Sequence, residues 1–230
     1  MFDSSVLDNP IWHSLTSGHK SMALLNGRAA RYPANVAPFA GLSELTPPAF
    51  ADLRQLVKPE EKVVLFTTAP VDLPASWQLD RSFVIDQMVC TRPTPPPSVD
   101  SLRYLNMSDE DIPDMLTLTA ATEPGPFFQR AITMGRYLGI RSPEGRLAAL
   151  SGERFSPHNF TEISAVCTDP DFRGRGYASY LISHLVAMLQ SEGRTPFLHV
   201  KTENGAKRVY EKLGFEFRMD THVSIIMPVD

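Results

Sequence analysis

The segment EISAVCTDPDFRGRGYASYLI, Glu162 to Ile182, decides the reading: an apolar run breaks into a charged turn with two arginines and two glycines, and an amphipathic stretch follows. Between Tyr177 and Gly193, residues Tyr177, Leu181, Leu185 and Met188, flanked by Ala178, Ile182 and Leu189, form one apolar stripe, which predicts a helix buried along one face. The R-G-R-G turn then joins a strand to a helix N-terminus. Such a turn presents unpaired backbone N–H groups with the positive end of the helix dipole behind them. Gly174 and Gly176 let the backbone curl close to an anion, and Arg173 and Arg175 add charge-assisted hydrogen bonds. The same residues also read as a solvent-facing loop in which glycine supplies positive φ and arginine supplies solubility. Two familiar phosphate motifs are excluded. A dinucleotide fingerprint requires glycine where Ser179 stands, and DPDFR intervenes between the strand and the first glycine. No G-x-x-x-x-G-K-S/T sequence is present.

Working outward, RYLGIRS, GRLAALSGERF and TEISAVCT predict an antiparallel meander whose first turn is carried by Pro143 to Gly145. Before it, SLRYLNM reads as a strand, Ser108 with Asp111 marks the start of a helix through Leu118, and EPGPFFQRAITMG is a loop and short helix. After the long helix, PFLHV is a strand. Asn204 caps a helix with Ala206, Val209, Tyr210 and Leu213 on one face, and Gly214 ends it. FEFRM and VSIIMPV close the sheet as two further strands.

The clearest boundary is TRPTPPPSVD, Thr91 to Asp100, where clustered prolines remove backbone donors and favour extended geometry. It divides the chain into an N-terminal α/β unit (1–92), a linker (93–100) and a second α/β domain (101–230). In the first unit Asn9 and Pro10 start a helix carrying Ile11, Leu15 and Met22 until Gly27; Thr46-Pro47 opens a second helix, and KVVLFTT and RSFVIDQMV read as strands. A net charge of -4 with pI near 5.9 argues against a dedicated nucleic-acid binder. Cys90 and Cys167 are too few for a disulfide scaffold and lack metal-ligand spacing, and none of the six histidines forms an H-x-x-x-H pattern, so no metal is expected. The start shows no signal-peptide pattern and no segment has the roughly 18 apolar residues of a membrane span. A cytoplasmic protein without a membrane partner is the expectation.

VCTDPDFRGRGYASYLI followed by TPFLHVKTENGAKRVYEKLGF resembles the acyl-CoA-binding core of the GNAT superfamily of N-acetyltransferases. Arg173, Gly176 and Ala178 match the superfamily pattern Gln/Arg-x-x-Gly-x-Gly/Ala. The later N-x-x-A/K-x-x-x-Y-x-x-x-G-F block is nearly matched, with Ala206 two residues after Asn204 and Lys207 three after. The resemblance covers Ser101 to about Asp230. It implies an α/β (α+β) fold with a mixed, mostly antiparallel sheet flanked by helices, and an acyl-CoA-dependent N-acyltransferase that brings acetyl-CoA and a primary amine together in one ternary complex.

Residue by residue, the resemblance seats the pyrophosphate of coenzyme A on the N–H groups of Gly174, Arg175, Gly176, Tyr177, Ala178 and Ser179, beside Arg173. It pairs the pantetheine amides with the strand at Val166, Cys167 and Thr168. Asn204 and Lys207 fall in the block implied to touch the cofactor. Glu162 matches the general base of several members, provided partial burial raises its pKa; otherwise it is a charged residue on a sheet face. Tyr210 matches the tyrosine that protonates or hydrogen-bonds the departing thiolate, and also fits a core aromatic. Cys167 reads as an apolar filler or, less simply, a nucleophile, and His199 as a satisfied core histidine or a base. The N-terminal unit resembles the first part of glycine N-acyltransferase-like proteins, which packs beside the catalytic half as a degenerate copy. In that arrangement EPGPFFQR and parts of the first unit wall the acceptor site, with Phe127 and Phe128 as an apolar wall or as core. The alternative is a CoA-binding or protein-interaction module without turnover. It predicts binding without acyl transfer.

Overall fold

A computed structural model describes residues 4–97, 102–203, 205 and 207–229. The first helix, α1 (Pro10–Thr16), is started as its sequence suggests: the Asn9 side chain accepts from the Trp12 N–H, and proline stands at the first helical position. It stops well before Gly27. Ser17 donates its hydroxyl to the His13 carbonyl and accepts from the His158 N–H, which gives the backbone an alternative to the next helical turn. A three-stranded sheet that the sequence reading missed follows: β1 (Leu24–Asn26), β2 (Ala29–Arg31) and β3 (Ala40–Leu42). Helix α2 (Pro47–Arg54) covers it through Ala49, Phe50 and Leu53.

The main sheet has eight strands. The remaining elements are β4 (Val63–Thr67), β5 (Trp77–Cys90), β6 (Leu105–Asn106), α3 (Ile112–Thr122), β7 (Tyr137–Arg141), β8 (Leu147–Glu153), β9 (Phe160–Thr168), α4 (Tyr177–Ser191), β10 (Thr195–Lys201), α5 (Lys207–Lys212) and β11 (Phe215–Pro228). Their order across the sheet is β4-β11-β5-β10-β9-β8-β7-β6, antiparallel throughout except for β9 with β10. The mixed, mostly antiparallel sheet and the β7–β8–β9 meander appear as expected. SLRYLNM contributes only the short β6, and its first residue lies outside the described ones. FEFRM and VSIIMPV are one strand, not two: β11 carries a register shift between Phe217 and Met219 and continues to Pro228. The strands before the proline run join this same sheet, with β5 hydrogen-bonded between β10 and β11.

Two cores lie on opposite faces of the sheet. One packs α4 and α5, through Leu181, Leu185, Leu189, Tyr210 and Leu213, against Met88, Ile163, Leu198 and Val200. The other packs α1, Tyr32, Phe39 and Phe66 against Phe155, Phe160, Phe197 and Val223, and α3 extends that face over β8 and β9. Alternation along β9 and β10 fixes this division: Ile163 and Leu198 face α4, while Phe160 and Phe197 face the N-terminal region. No helix among the described residues is long and apolar enough to cross a membrane.

Candidate active site

Strands β9 and β10 pair in parallel at only three positions, the last being Phe197 with Glu162. Beyond that point β10 stays with β5, from Phe197 opposite Val89 to Lys201 opposite Ile85, while β9 stays with β8. The two strands therefore splay, and the β9 edge from Ile163 onward faces a slot lined by Ser164, Val166, His199, Val200 and Tyr210. A bulge lies in this edge. Ser164 pairs with Gly152 and Cys167 with Leu150, so Ala165 and Val166 oppose Ser151 alone, and Ala165 takes φ +52°. Val166 and Thr168 are half-buried and Cys167 is buried, its thiol pushed up to about 11, first by desolvation. A thiol held in that state is inert as a nucleophile.

Beyond the end of β9 lies the R-G-R-G turn. Gly174 and Gly176 both take φ +76°, and an added Cβ at either would meet nothing within 4 Å. Among the described residues, no N–H from Gly174 to Ser179 has a backbone acceptor outside α4; the bonds of the turn are Phe172 N–H to the Asp169 carbonyl at 2.9 Å, Arg173 N–H to the Pro170 carbonyl at 3.4 Å and Tyr180 N–H to the Gly176 carbonyl at 3.0 Å. Arg173 and Arg175 are exposed; Arg175 lies over Phe172 at 5.0 Å, and Phe172 stacks on Tyr177. Tyr177, Ala178 and Ser179 form the half-buried first turn of α4.

Tyr210, on α5, is 7% exposed and lines the slot; burial pushes its hydroxyl up to about 12. Its ring meets Phe215 edge-on at 6.1 Å, so it is both a core aromatic and a slot residue. The Lys207 ammonium pairs with buried Asp86 of β5. Asn204 and Ala206 lie outside the described residues.

Glu162 is the largest departure. Its side chain is 0% exposed, and its oxygens accept from Arg154 Nε at 2.6 Å, Arg154 Nη2 at 2.7 Å and His199 Nδ1 at 2.6 Å. Burial raises its pKa, as anticipated, but the Arg154 charge and hydrogen bonds, joined by His199, outweigh it and bring the carboxyl down to about 2. Arg154 is itself confined, 12% exposed and set over Phe39 at 4.9 Å and Phe155 at 4.7 Å. The His199 side chain is 2% exposed, and desolvation lowers its pKa against the opposing pull of Glu162. Gln87 fixes its tautomer. The Gln87 carbonyl accepts from Arg218 at 2.8 Å and its amide donates to the Leu7 carbonyl at 2.9 Å, so the 3.1 Å contact with His199 Nε2 is a second amide donation. His199 is thus neutral, with its proton on Nδ1 toward Glu162, and is a satisfied core histidine.

One functional candidate escaped the sequence reading. Glu123 caps α3 in the left-handed region, φ 47°, and lines the slot next to Thr122 and Pro124. Its signal was the helix end before Pro124-Gly125, which marks a turn and says nothing of what the turn faces. Of the EPGPFFQR segment, Pro124, Gly125 and Pro126 line a neighbouring cavity, while Phe127 packs on Tyr137 and Phe128 is 36% exposed.

A family model described as FR47-like protein matches residues 137–224, from β7 into β11. No curated protein matches the chain. A crystal structure named as an acetyltransferase of the GNAT family from Novosphingobium aromaticivorans DSM 12444 is 34% identical, covering 98% of this chain and 99% of its own, with a TM-score of 0.88. A GCN5-related N-acetyltransferase from Kribbella flavida shares the fold at 14% identity, covering 96% of each chain, TM-score 0.63. A GCN5-related N-acetyltransferase-like protein from Streptococcus suis 89/1591 does so at 13% identity, covering 94% of this chain and 92% of its own, TM-score 0.60. With the same fold along its whole length and a relative that shares a third of its residues, the chain belongs to the GNAT family of acetyltransferases.

Proposed function

We propose that the enzyme transfers an acetyl group from acetyl-CoA to a primary amine by direct attack in a ternary complex. The observation that carries this reading is the junction of an open, bulged strand edge with a turn of unpaired N–H groups. That combination suits a ligand with a diphosphate at one end and amides along its arm. The N–H groups from Gly174 to Ser179 receive the pyrophosphate, and the β9 edge at Val166 to Thr168 receives the pantetheine amides. The thioester then lies beside the bulge, where backbone N–H groups near Val166 polarise its carbonyl. Alignment of amine and carbonyl supplies most of the rate, and well-oriented reactants gain roughly 7–11 kcal/mol in this way.

Proton movements fall to two slot residues. A carboxylate held at about 2 by a bidentate arginine is a poor acceptor, so Glu162 acts by positioning Arg154 and His199. Glu123 takes the amine proton, directly or through water. Tyr210, protonated at every physiological pH, gives its proton to the departing thiolate.

Release of the coenzyme A thiol, followed with a thiol-reactive dye against a panel of amines, tests the proposal. Thiol release that depends on the amine supports it, and Glu123→Gln lowers kcat by about 10²-fold or more with acetyl-CoA affinity unchanged. An unaltered kcat removes Glu123 from the mechanism. Saturable acetyl-CoA binding without release to any amine favours the binding module.

A further inference from the structure

A second cavity, of about 160 Å³, adjoins the slot on the face that carries the N-terminal region. Its walls are apolar: Phe39, Phe66, Phe83 and Ile85 from before the proline run, and Val223 and Ile225 from β11. Pro124, His199, Val200 and Lys201 line both cavity and slot, so an occupant of the cavity reaches the point where the thioester is expected. The ionisable residues of the lining are Arg154, His199 and Lys201, and among the described residues no carboxylate lines it. His199 has both ring nitrogens engaged. Arg154 has Nε and Nη2 engaged by Glu162, which leaves Nη1 for a ligand.

We propose that this cavity selects the acceptor, an α-amino acid with one phenyl- or isobutyl-sized side chain and a free carboxylate. The inference rests on the acyl-transfer reading above. A cavity of about 150 Å³ lined by Leu, Ile and Phe is large enough to bind benzene, and burying such a group contributes about 25 cal/mol per Å² removed from water. The side chain occupies the apolar walls, and the carboxylate meets the cationic edge formed by Arg154 and Lys201. Glu162 and the flanking rings hold the guanidinium still, so its orientation is fixed before the ligand arrives. Polyamines and aminoglycosides are disfavoured: their second cation would enter an apolar cavity beside the Lys201 ammonium where, among the described residues, no carboxylate lines the wall to receive it. In the reaction the ammonium first loses one proton to solvent through Glu123, the amine nitrogen then forms a bond to the acetyl carbon, the carbon–sulfur bond breaks, Tyr210 gives its proton to the sulfur, and the second nitrogen proton restores Tyr210.

The test measures thiol release from acetyl-CoA with L-phenylalanine, L-leucine, phenethylamine, glycine and spermidine. Expected is a kcat/KM for phenylalanine or leucine at least about ten-fold above glycine and spermidine, and above phenethylamine, which lacks the carboxylate. Ile225→Trp fills the cavity and lowers kcat/KM for L-phenylalanine about ten-fold or more, while calorimetric acetyl-CoA affinity stays unchanged. Phe83→Ala, at a partly exposed wall, leaves the fold intact and shifts preference toward L-tryptophan. Spermidine or glycine as the best acceptor overturns the proposal, as does phenethylamine equal to phenylalanine. So does an Ile225→Trp protein that changes its preference among acyl donors, since the cavity would then house the acyl chain. Failure of the wild type to bind acetyl-CoA would instead defeat the acyl-transfer reading.

Discussion

Glu162 meets three N–H donors with its side chain fully buried, and the proposed structural task for it rests on that arrangement. Removing its charge strands Arg154 among aromatic rings, and breaking a buried pair from one side costs about 3–5 kcal/mol. Glu162→Gln should therefore lower the denaturant midpoint sharply at pH 7. Because the folded pKa is depressed to about 2 from an ordinary 4.5, the contribution is fully present above the unfolded value and disappears as pH falls through about 2. The stability gap between wild type and Glu162→Gln thus narrows from pH 5 downward. A variant as stable as wild type but inactive would restore Glu162 to the role of base. Tyr210→Phe, by contrast, keeps the ring that meets Phe215 and removes the slot hydroxyl. It should cut kcat by about 10-fold or more with unchanged acetyl-CoA affinity, and an unaltered kcat would leave Tyr210 a core aromatic. Both residues were legible as candidates because each sits at a fixed place in a strand or helix motif. The identity of the Glu162 partner was not, since Arg154 meets it only after the chain reverses between β8 and β9.

At the level of elements, the strand, turn and helix from Glu162 to Gly193 were legible in full because each is encoded locally: an apolar run, two glycines at positive φ and a stripe at helical spacing. The register of β9 against β10 was not legible, because their parallel pairing at only three positions joins strands separated by the whole of α4. Nor does Ala165 betray the bulge, since alanine is an ordinary strand residue and its positive φ is imposed by the unequal count of residues opposite Ser151. The turn yields the sharpest test. Gly176→Glu sets a carboxylate where the pyrophosphate is expected and asks a non-glycine residue to hold φ +76°. An added side chain meets open space, but the left-handed φ itself costs a non-glycine residue about 1–2 kcal/mol, so the expected outcome is loss of calorimetric acetyl-CoA binding in a folded protein whose melting temperature falls by about 2–8 °C. Retained affinity in the folded variant would move the phosphate away from this turn.

Across the whole molecule, the proline run marks a change in composition that the sheet ignores. Prolines 93 and 95 to 97 register in any local reading, whereas the pairing of Val89 with Phe197 and of Cys90 with Phe215 spans more than a hundred residues and leaves no local trace. β5 separates β10 from β11, Gln87 on β5 orients His199, and Phe39 and Phe66 complete the cavity beside Arg154. Even the residues leading into the linker are tied back, with the Thr91 and Arg92 N–H groups donating to the Gly214 carbonyl. Deleting residues 1–92 would leave the inner edges of β10 and β11 unpaired and expose Phe160, Phe197 and Val223, which are now buried. The truncated chain, residues 93–230, should accumulate as aggregate and show no cooperative thermal transition by circular dichroism. A soluble truncation that melts cooperatively and still binds acetyl-CoA would mean that the second part folds alone, and that the first serves the acceptor cavity rather than the sheet.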